Sequence, residues 1–385
     1  MDIAMLPEFF RRYAAELLIA FFALIFLVGA FCEIGGEAGA FLTSALDVAL
    51  FVILAMLVYL ATRHPAFRWI AVLWLLIMVA GLAALAVGFG AIAILPAEML
   101  ETEEIDPETV DLAMAVEVVL LLLGALVAGF ASLVGLSRRF RGWLAGYLPF
   151  DPDSLLHTVA LVVILAMILI PPVPLLVAGV PPFLSETFLD LLLESGDLLA
   201  NTVTLNAYTL FWTLIGSFFI AGACVRRTPR ETLERLGLVR PTGKEIAFAV
   251  GAGLVLVAAF HFIDMALAML VGWLGLPVTD MEAVNLLFAG TLTLPGVIMA
   301  SVAAGFGEEV SIRGLLQPRF GILLPALLFA SLHAFQYSWD GLISVFIAGI
   351  AFAYIRRYSN TTTSAITHTV YDLVLFSMML VGMSI

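Results

Sequence analysis

Charge is scarce in this sequence. Asp, Glu, Lys and Arg together make up 12% of its 385 residues, whereas hydrophobic residues make up 63%. That excludes an ordinary soluble domain, in which about a quarter of residues are charged, and points to a chain of membrane-crossing helices. Cysteine is nearly absent. Cys32 and Cys224 fall near the ends of different apolar runs, which leaves no disulfide framework and no thiolate metal site. Internal repeats and low-complexity segments are also lacking. Arg11 and Arg12 before an apolar run mimic a signal peptide, but no small-residue cleavage site follows, so a retained first helix is expected.

What the sequence has in abundance is long apolar runs. Runs fit to cross ~30 Å of hydrocarbon lie near 14–32, 40–62, 69–97, 112–136, 154–180, 206–225 and 245–274. Shorter or polar-interrupted runs follow near 284–306, 321–336, 341–355 and 364–385. The expected fold is therefore all-α, a polytopic transmembrane helical bundle of about eleven spans. With the N-terminus in the cytoplasm, all 17 Lys and Arg fall on the cytoplasmic side. The opposite loops are acidic, as in Glu98-Met99-Leu100-Glu101-Thr102-Glu103-Glu104 and Glu194-Ser195-Gly196-Asp197. This is the orientation that the excess of basic residues in cytoplasmic loops predicts.

The stretch Arg226 to Lys244 divides the chain. Thr228 as N-cap and Pro229 at the first helical position predict a short amphipathic helix. Its Leu233, Leu236 and Leu238 are expected to dip into the membrane surface while Arg230, Glu231, Glu234 and Arg235 stay in water. Three units result: a membrane domain of about six spans over 1–225, this loop over 226–244, and a second membrane domain over 245–385. Pro171-Pro172-Val173-Pro174 should break the fifth span near its outer end.

The polar residues of the last unit carry the chemistry. Glu308 and Glu309 are adjacent in an apolar stretch, where a carboxylate costs about 2.5–3.5 kcal/mol to insert. Glu309 and Arg313 are i,i+4 neighbours in the favourable order for an ion pair, while Glu308 is turned about 100° away and free to face a cavity. His333 lies one turn beyond Phe329, and His368 and Asp372 share a helix face. Asp372 could orient His368 through Nδ1, or both could address a common atom. Glu308, His333, His368 and Asp372 are expected to converge in one cavity. A carboxylate and an imidazole can activate a water toward a carbonyl carbon, with a second imidazole stabilising the oxyanion. The same residue types suit Zn²⁺, and spacing does not decide between the two. His261 and Asp264 read first as packing residues, His64 and His157 as surface groups at span ends.

Glu308-Glu309-x-x-x-Arg313, Phe329-x-x-x-His333 and His368-x-x-x-Asp372 in this order resemble the motif set of the CAAX prenyl protease 2-like intramembrane proteases (the CPBP or Abi family). The resemblance covers roughly 226–385, with Leu236-Gly237-Leu238-Val239-Arg240 similar to a common lead-in. It implies that Glu308 is the catalytic glutamate and that His333 helps it hold the attacking water. His368 and residue 372 would form the oxyanion site, and Arg313 would be structural, paired with Glu309. It favours a glutamate-type protease without metal; a metalloprotease would use Glu308, His333 and His368 as zinc ligands. Prenyl-protein proteases usually have Asn where this chain has Asp372, and an ionised Asp would repel an oxyanion.

The expected activity is an intramembrane endopeptidase with its site open toward the cytoplasm, acting on a membrane-associated protein or peptide, lipidated or not. No nucleic-acid partner is expected. The alternative is a non-enzymatic membrane transporter or immunity protein that uses the buried charges as an ion or proton path. A transporter should show inverted repeats with broken helices, whereas here the polar residues are concentrated in one half.

Overall fold

A computed structural model describes residues 8–101, 111–195 and 202–383. The described chain is a bundle of helices with no sheet, only an isolated bridge between Ala223 and Arg227. Parts of the two acidic loops, Thr102-Glu103-Glu104 and Gly196-Asp197, lie outside the described residues.

Seven described helices are long and apolar enough to cross a membrane, or eight if the bent pair Gly36–Thr43 and Leu46–Ala61 is one span. The other runs among the expected eleven fold as helices that are shorter or more polar than this measure admits. The run near 321–336 folds as Leu323–Leu332, ten residues, which reach only about 15 Å at 1.5 Å per residue. The run near 284–306 divides into Met281–Leu287 and Leu294–Glu308. Thr361–Leu380 has 20 residues, but its first turns are Thr, Ser and His rather than hydrocarbon.

The N-terminal part is organised around Leu46–Ala61, in which every residue from Val52 to Leu60 is buried. A helix apolar on all sides is stable only when neighbours or lipid cover every face. Here Glu8–Phe31, Ala66–Ile94 and Thr202–Ile220 pack on it. The proline run acts as expected. The helix Leu155–Leu169 stops before it, and a short Val173–Ala178 helix closes at Gly179, whose φ of 72° suits a residue without Cβ.

The predicted helix in the dividing loop is Pro229–Leu236, and its capping box is complete: Glu231 N donates to Thr228 Oγ1 (3.2 Å) and Thr228 N to Glu231 Oε2 (2.8 Å). Its surroundings differ from the expectation. Leu236 is fully buried beside Ala221 and Val310 rather than dipping into lipid. Arg235 is not held in water either: it donates to the carbonyls of Gly314 (3.0 Å) and Leu315 (3.2 Å). Those carbonyls end an irregular turn and lack the partners that a continuing helix would supply. Burial, with the repulsion of Arg319, Arg227 and Arg356, lowers the Arg235 pKa to about 10.

The lead-in after this helix clamps the start of Thr361–Leu380. Thr361 donates through its N to Gly237 O (3.0 Å) and through Oγ1 to Leu236 O (2.6 Å), and Val239 N donates to Thr362 Oγ1 (3.0 Å). Thr361–Leu380 then runs between Leu294–Glu308 and Gly243–Trp273. Glycine allows the approach: a Cβ on Gly305 would stand 2.1 Å from Thr369 Oγ1, and one on Gly253 2.8 Å from a methyl of Val370. Close contact across these glycines brings His368 to the end of the Leu294–Glu308 helix.

Candidate active site

Glu308 ends its helix, and Glu309 begins a π-helical turn that runs to Gly314. Such wide turns are frequent at functional sites. The two adjacent acids are separated in environment. The Glu308 side chain is 33% exposed and opens on a cavity of about 880 Å³, whereas that of Glu309 is 0% exposed.

Glu309 Oε1 lies 3.1 Å from Arg313 Nη1, so the predicted pair is in contact. Its alignment is poor, and Arg313 Nη1 and Nε make no hydrogen bond. Nη2 donates to Gly349 O (3.4 Å), and aromatic faces hold the rest of the guanidinium, its carbon 4.1 Å from the Phe329 ring centroid and 5.8 Å from that of Phe352. A desolvated cation over a ring gains about 2 kcal/mol. Phe329 also meets both imidazoles edge to face, His333 at 5.0 Å and His368 at 5.9 Å. The conspicuous Phe of the Phe329-x-x-x-His333 spacing thus joins the cation to the two histidines.

His333 caps the short Leu323–Leu332 helix. Its Nδ1 is 2.8 Å from Phe329 O, and a carbonyl can only accept, so Nδ1 carries the proton. In the neutral ring, Nε2 then keeps a lone pair. His368 is held at both nitrogens: Nδ1 lies 3.2 Å from Glu309 Oε1, and Nε2 lies 3.4 Å from Asp372 Oδ2 and 3.9 Å from Glu308 Oε2. Carboxylates facing both ring nitrogens suit an imidazolium, with Nδ1 donating to Glu309. Phe352 stacks on this ring at 4.2 Å. The expectation that Asp372 addresses Nδ1 is corrected, because Glu309 occupies that side and Asp372 faces Nε2.

Glu308, His333, His368 and Asp372 all line the 880 Å³ cavity. A second cavity of about 220 Å³ abuts it, sharing His333, His368 and Asp372. Asp264 lines this one and accepts a short hydrogen bond from Ser344. His261, three residues earlier, is exposed on the outside of the bundle. His64 is exposed, and His157 is half-buried with Nδ1 accepting from Asp151 N at 3.0 Å.

Two residues escaped the sequence reading. Ser364 Oγ lies 2.6 Å from Glu309 Oε2 and completes the contacts of that buried acid. Tyr337 stacks on His333, ring centroids 6.1 Å apart and planes 17° apart, and lines both cavities. Each stands one helical turn from a histidine already singled out, so i,i+4 spacing was the available signal.

Among the described residues no three His, Cys, Asp or Glu side chains are grouped to hold a metal ion. His368 has carboxylates at both nitrogens, so the Glu308, His333 and His368 donors do not form the open two-imidazole, one-carboxylate set that zinc takes.

Residues 290–374 match the family described as Type II CAAX prenyl endopeptidase Rce1-like. That segment holds every motif residue named above and is narrower than the 226–385 of the resemblance. No curated protein and no solved structure matches the chain.

Proposed function

With residues 290–374 matching the CAAX prenyl endopeptidase family, we propose that the chain is an intramembrane endopeptidase of the glutamate type. It hydrolyses a peptide bond of a membrane-associated protein or peptide without a covalent intermediate. The observation that carries this reading is the contrast between the two acids. Glu308 opens on the large cavity beside His333 and His368, while Glu309 is sealed behind them against Arg313 and Ser364.

In the mechanism, a water is held between the Glu308 carboxylate and the lone pair of His333 Nε2. Glu308 takes a proton from this water as its oxygen bonds to the scissile carbonyl carbon, a general-base step worth about 10²–10⁴ in rate. The carbonyl oxygen becomes an oxyanion, stabilised by His368 Nε2–H, whose 3.4 Å approach to Asp372 Oδ2 leaves it able to donate to the oxyanion, a contribution of about 10²–10³. Collapse breaks the C–N bond, and the proton on Glu308 passes to the departing amine. Asp372 acts on His368 rather than on the oxyanion. It balances the charge of the ring and orients Nε2, which removes the difficulty of an acid where a neutral amide is usual. Glu309, Arg313 and Ser364 hold the other side of the ring.

The N-terminus lies in the cytoplasm and the site opens to that side, as the distribution of Arg and Lys supports. Residues 1–225, 226–244 and 245–385 form an N-terminal membrane domain, a connecting loop and the catalytic membrane domain.

The test is cleavage of membrane peptides by the purified protein. Glu308→Ala and His333→Ala should be inactive with unchanged helical content by circular dichroism. Full turnover by Glu308→Ala refutes the assignment of the base. Stoichiometric zinc whose removal abolishes turnover refutes the metal-free mechanism.

A further inference from the structure

The large cavity reaches well beyond the matched family segment. Its far wall comes from the N-terminal part of the chain, from Leu46–Ala61, Leu155–Leu169 and Thr202–Ile220. Most of that wall is apolar, with one exception. Thr202, Asn206, Thr209, Thr213 and Ser217 all line the cavity and recur at helical spacing, forming a polar stripe along one face of an apolar helix.

Several polar side chains in other helices bond back to their own backbone, although Thr369 Oγ1 does not. Thr158 Oγ1 donates to Ser154 O (2.9 Å), Ser301 Oγ to Val297 O (2.7 Å) and Thr367 Oγ1 to Thr363 O (3.0 Å). The side chains of Asn206, Thr209 and Thr213 make no hydrogen bond among the described residues. Unpaired polar groups at membrane depth cost free energy unless water or a bound molecule meets them. The stripe also leads to the catalytic acid. A Cβ on Gly307, the residue before Glu308, would be 3.8 Å from both Thr213 and Leu210. From Thr202 to Thr213 the stripe covers about 16 Å at 1.5 Å per residue, the length of about five residues of extended peptide.

Asp47 adds a charge requirement. It stands in the first turn of Leu46–Ala61, at the 43° break of the bent span, and lines the same cavity. Among the described residues it has neither an ion pair nor a hydrogen bond. The described lining holds the carboxylates of Asp47, Glu308 and Asp372 and no Lys or Arg. At the far wall, away from the histidines, a carboxylate would meet only the like charge of Asp47 with no cation beside it, which selects against an acidic group there. A cation would meet an unpaired carboxylate.

We propose that Asp47 and the polar stripe of Thr202–Ile220 are the substrate-docking wall, taking an extended internal peptide segment that carries a Lys or Arg side chain. Asn206, Thr209 and Thr213 bind its main chain, and Asp47 pairs with its basic side chain. This rests on the reading of Glu308 as the hydrolytic centre, and it assigns the N-terminal spans the task of substrate selection.

The test is binding of three dansyl-labelled apolar peptides, identical but for one Lys, Leu or Glu, to full-length Glu308→Gln protein in micelles. The Lys peptide should bind about tenfold more tightly than the Glu peptide. Asp47→Asn should remove this preference and Asp47→Lys reverse it. Asn206→Leu, Thr209→Val and Thr213→Val together should weaken all three peptides alike, by about tenfold. Single Thr209→Val and Thr213→Val variants carry this arm if the triple variant melts early. A preference that survives Asp47→Asn overturns the proposal. So does unchanged binding by folded stripe variants, or binding of none of the peptides. Wild-type turnover is measured separately. Charge-selective binding without cleavage would sink the hydrolase reading and keep the wall, whereas cleavage indifferent to Asp47 and the stripe would do the reverse.

Discussion

Glu309 Oε1 approaches His368 Nδ1 to 3.2 Å, although 59 residues separate them in sequence. The acid that looked merely structural, as the partner of Arg313, is therefore also the group that fixes the imidazole of the reaction centre. Both partners and the ring are buried, so the charges on this side of the site stand or fall together.

Glu309→Gln should lower stability by about 3–5 kcal/mol, the cost of leaving a buried cation without its counter-charge. Turnover should fall in the fraction that stays folded, because His368 loses its Nδ1 partner. Adding Arg313→Met should recover part of the stability but not the turnover. Thermal melting in detergent and kcat at a temperature where all variants are folded check this. Fully additive stability losses would show that the two side chains do not act as a pair.

Phe329→Leu removes the ring over the Arg313 guanidinium and its contacts with His333 and His368. It should cost about 1–3 kcal/mol of stability and lower kcat with little change in KM. An unaltered kcat in the folded variant would leave Phe329 as ordinary packing.

Gly305→Ala and Gly307→Ala should behave oppositely, though only two residues apart. A Cβ on Gly305 meets Thr369 N at 2.6 Å and Ala365 O at 2.9 Å, backbone atoms that cannot turn aside. The helix bearing His368 and Asp372 must move, at about 1–3 kcal/mol, and activity should be lost. A Cβ on Gly307 has contacts only at 3.8 Å and should be tolerated. Melting temperatures and turnover of the two variants give the comparison directly.

Asp372→Asn keeps an oxygen that can accept from His368 Nε2, whereas Asp372→Leu keeps none. If Asp372 positions His368, turnover should fall by roughly tenfold in the first and by a hundredfold or more in the second, with KM nearly constant. Equal losses would mean that the charge itself, rather than an oxygen set against the ring, is what the site requires.

Much of this protein is legible along the chain because a bilayer imposes one-dimensional rules. Hydrocarbon excludes unpaired polar groups, so an apolar run announces a helix, and Glu308, Glu309, His333, His368 and Asp372 stand out by cost alone. The helical repeat pairs Glu309 with Arg313 and His368 with Asp372 without any knowledge of the fold. Counting spans was less secure, because Leu323–Leu332 is as apolar as a crossing helix but only ten residues long. Length is decided by where turns fall, and those depend on the neighbours.

What only the tertiary structure decided is which groups meet across helices. The repeat could not say that Glu309 rather than Asp372 takes His368 Nδ1, since that rests on the close approach of two helices across Gly305. Nor could it assign Arg235 to the carbonyls of Gly314 and Leu315, or set Asp47 and the stripe of Thr202–Ile220 around the cavity of Glu308. The sequence by itself determined which residues are too polar for lipid and on which face of each helix they lie. The packing of helices distant in sequence chose their partners, because side-chain chemistry acts over a few ångströms and only folding brings such residues within that reach.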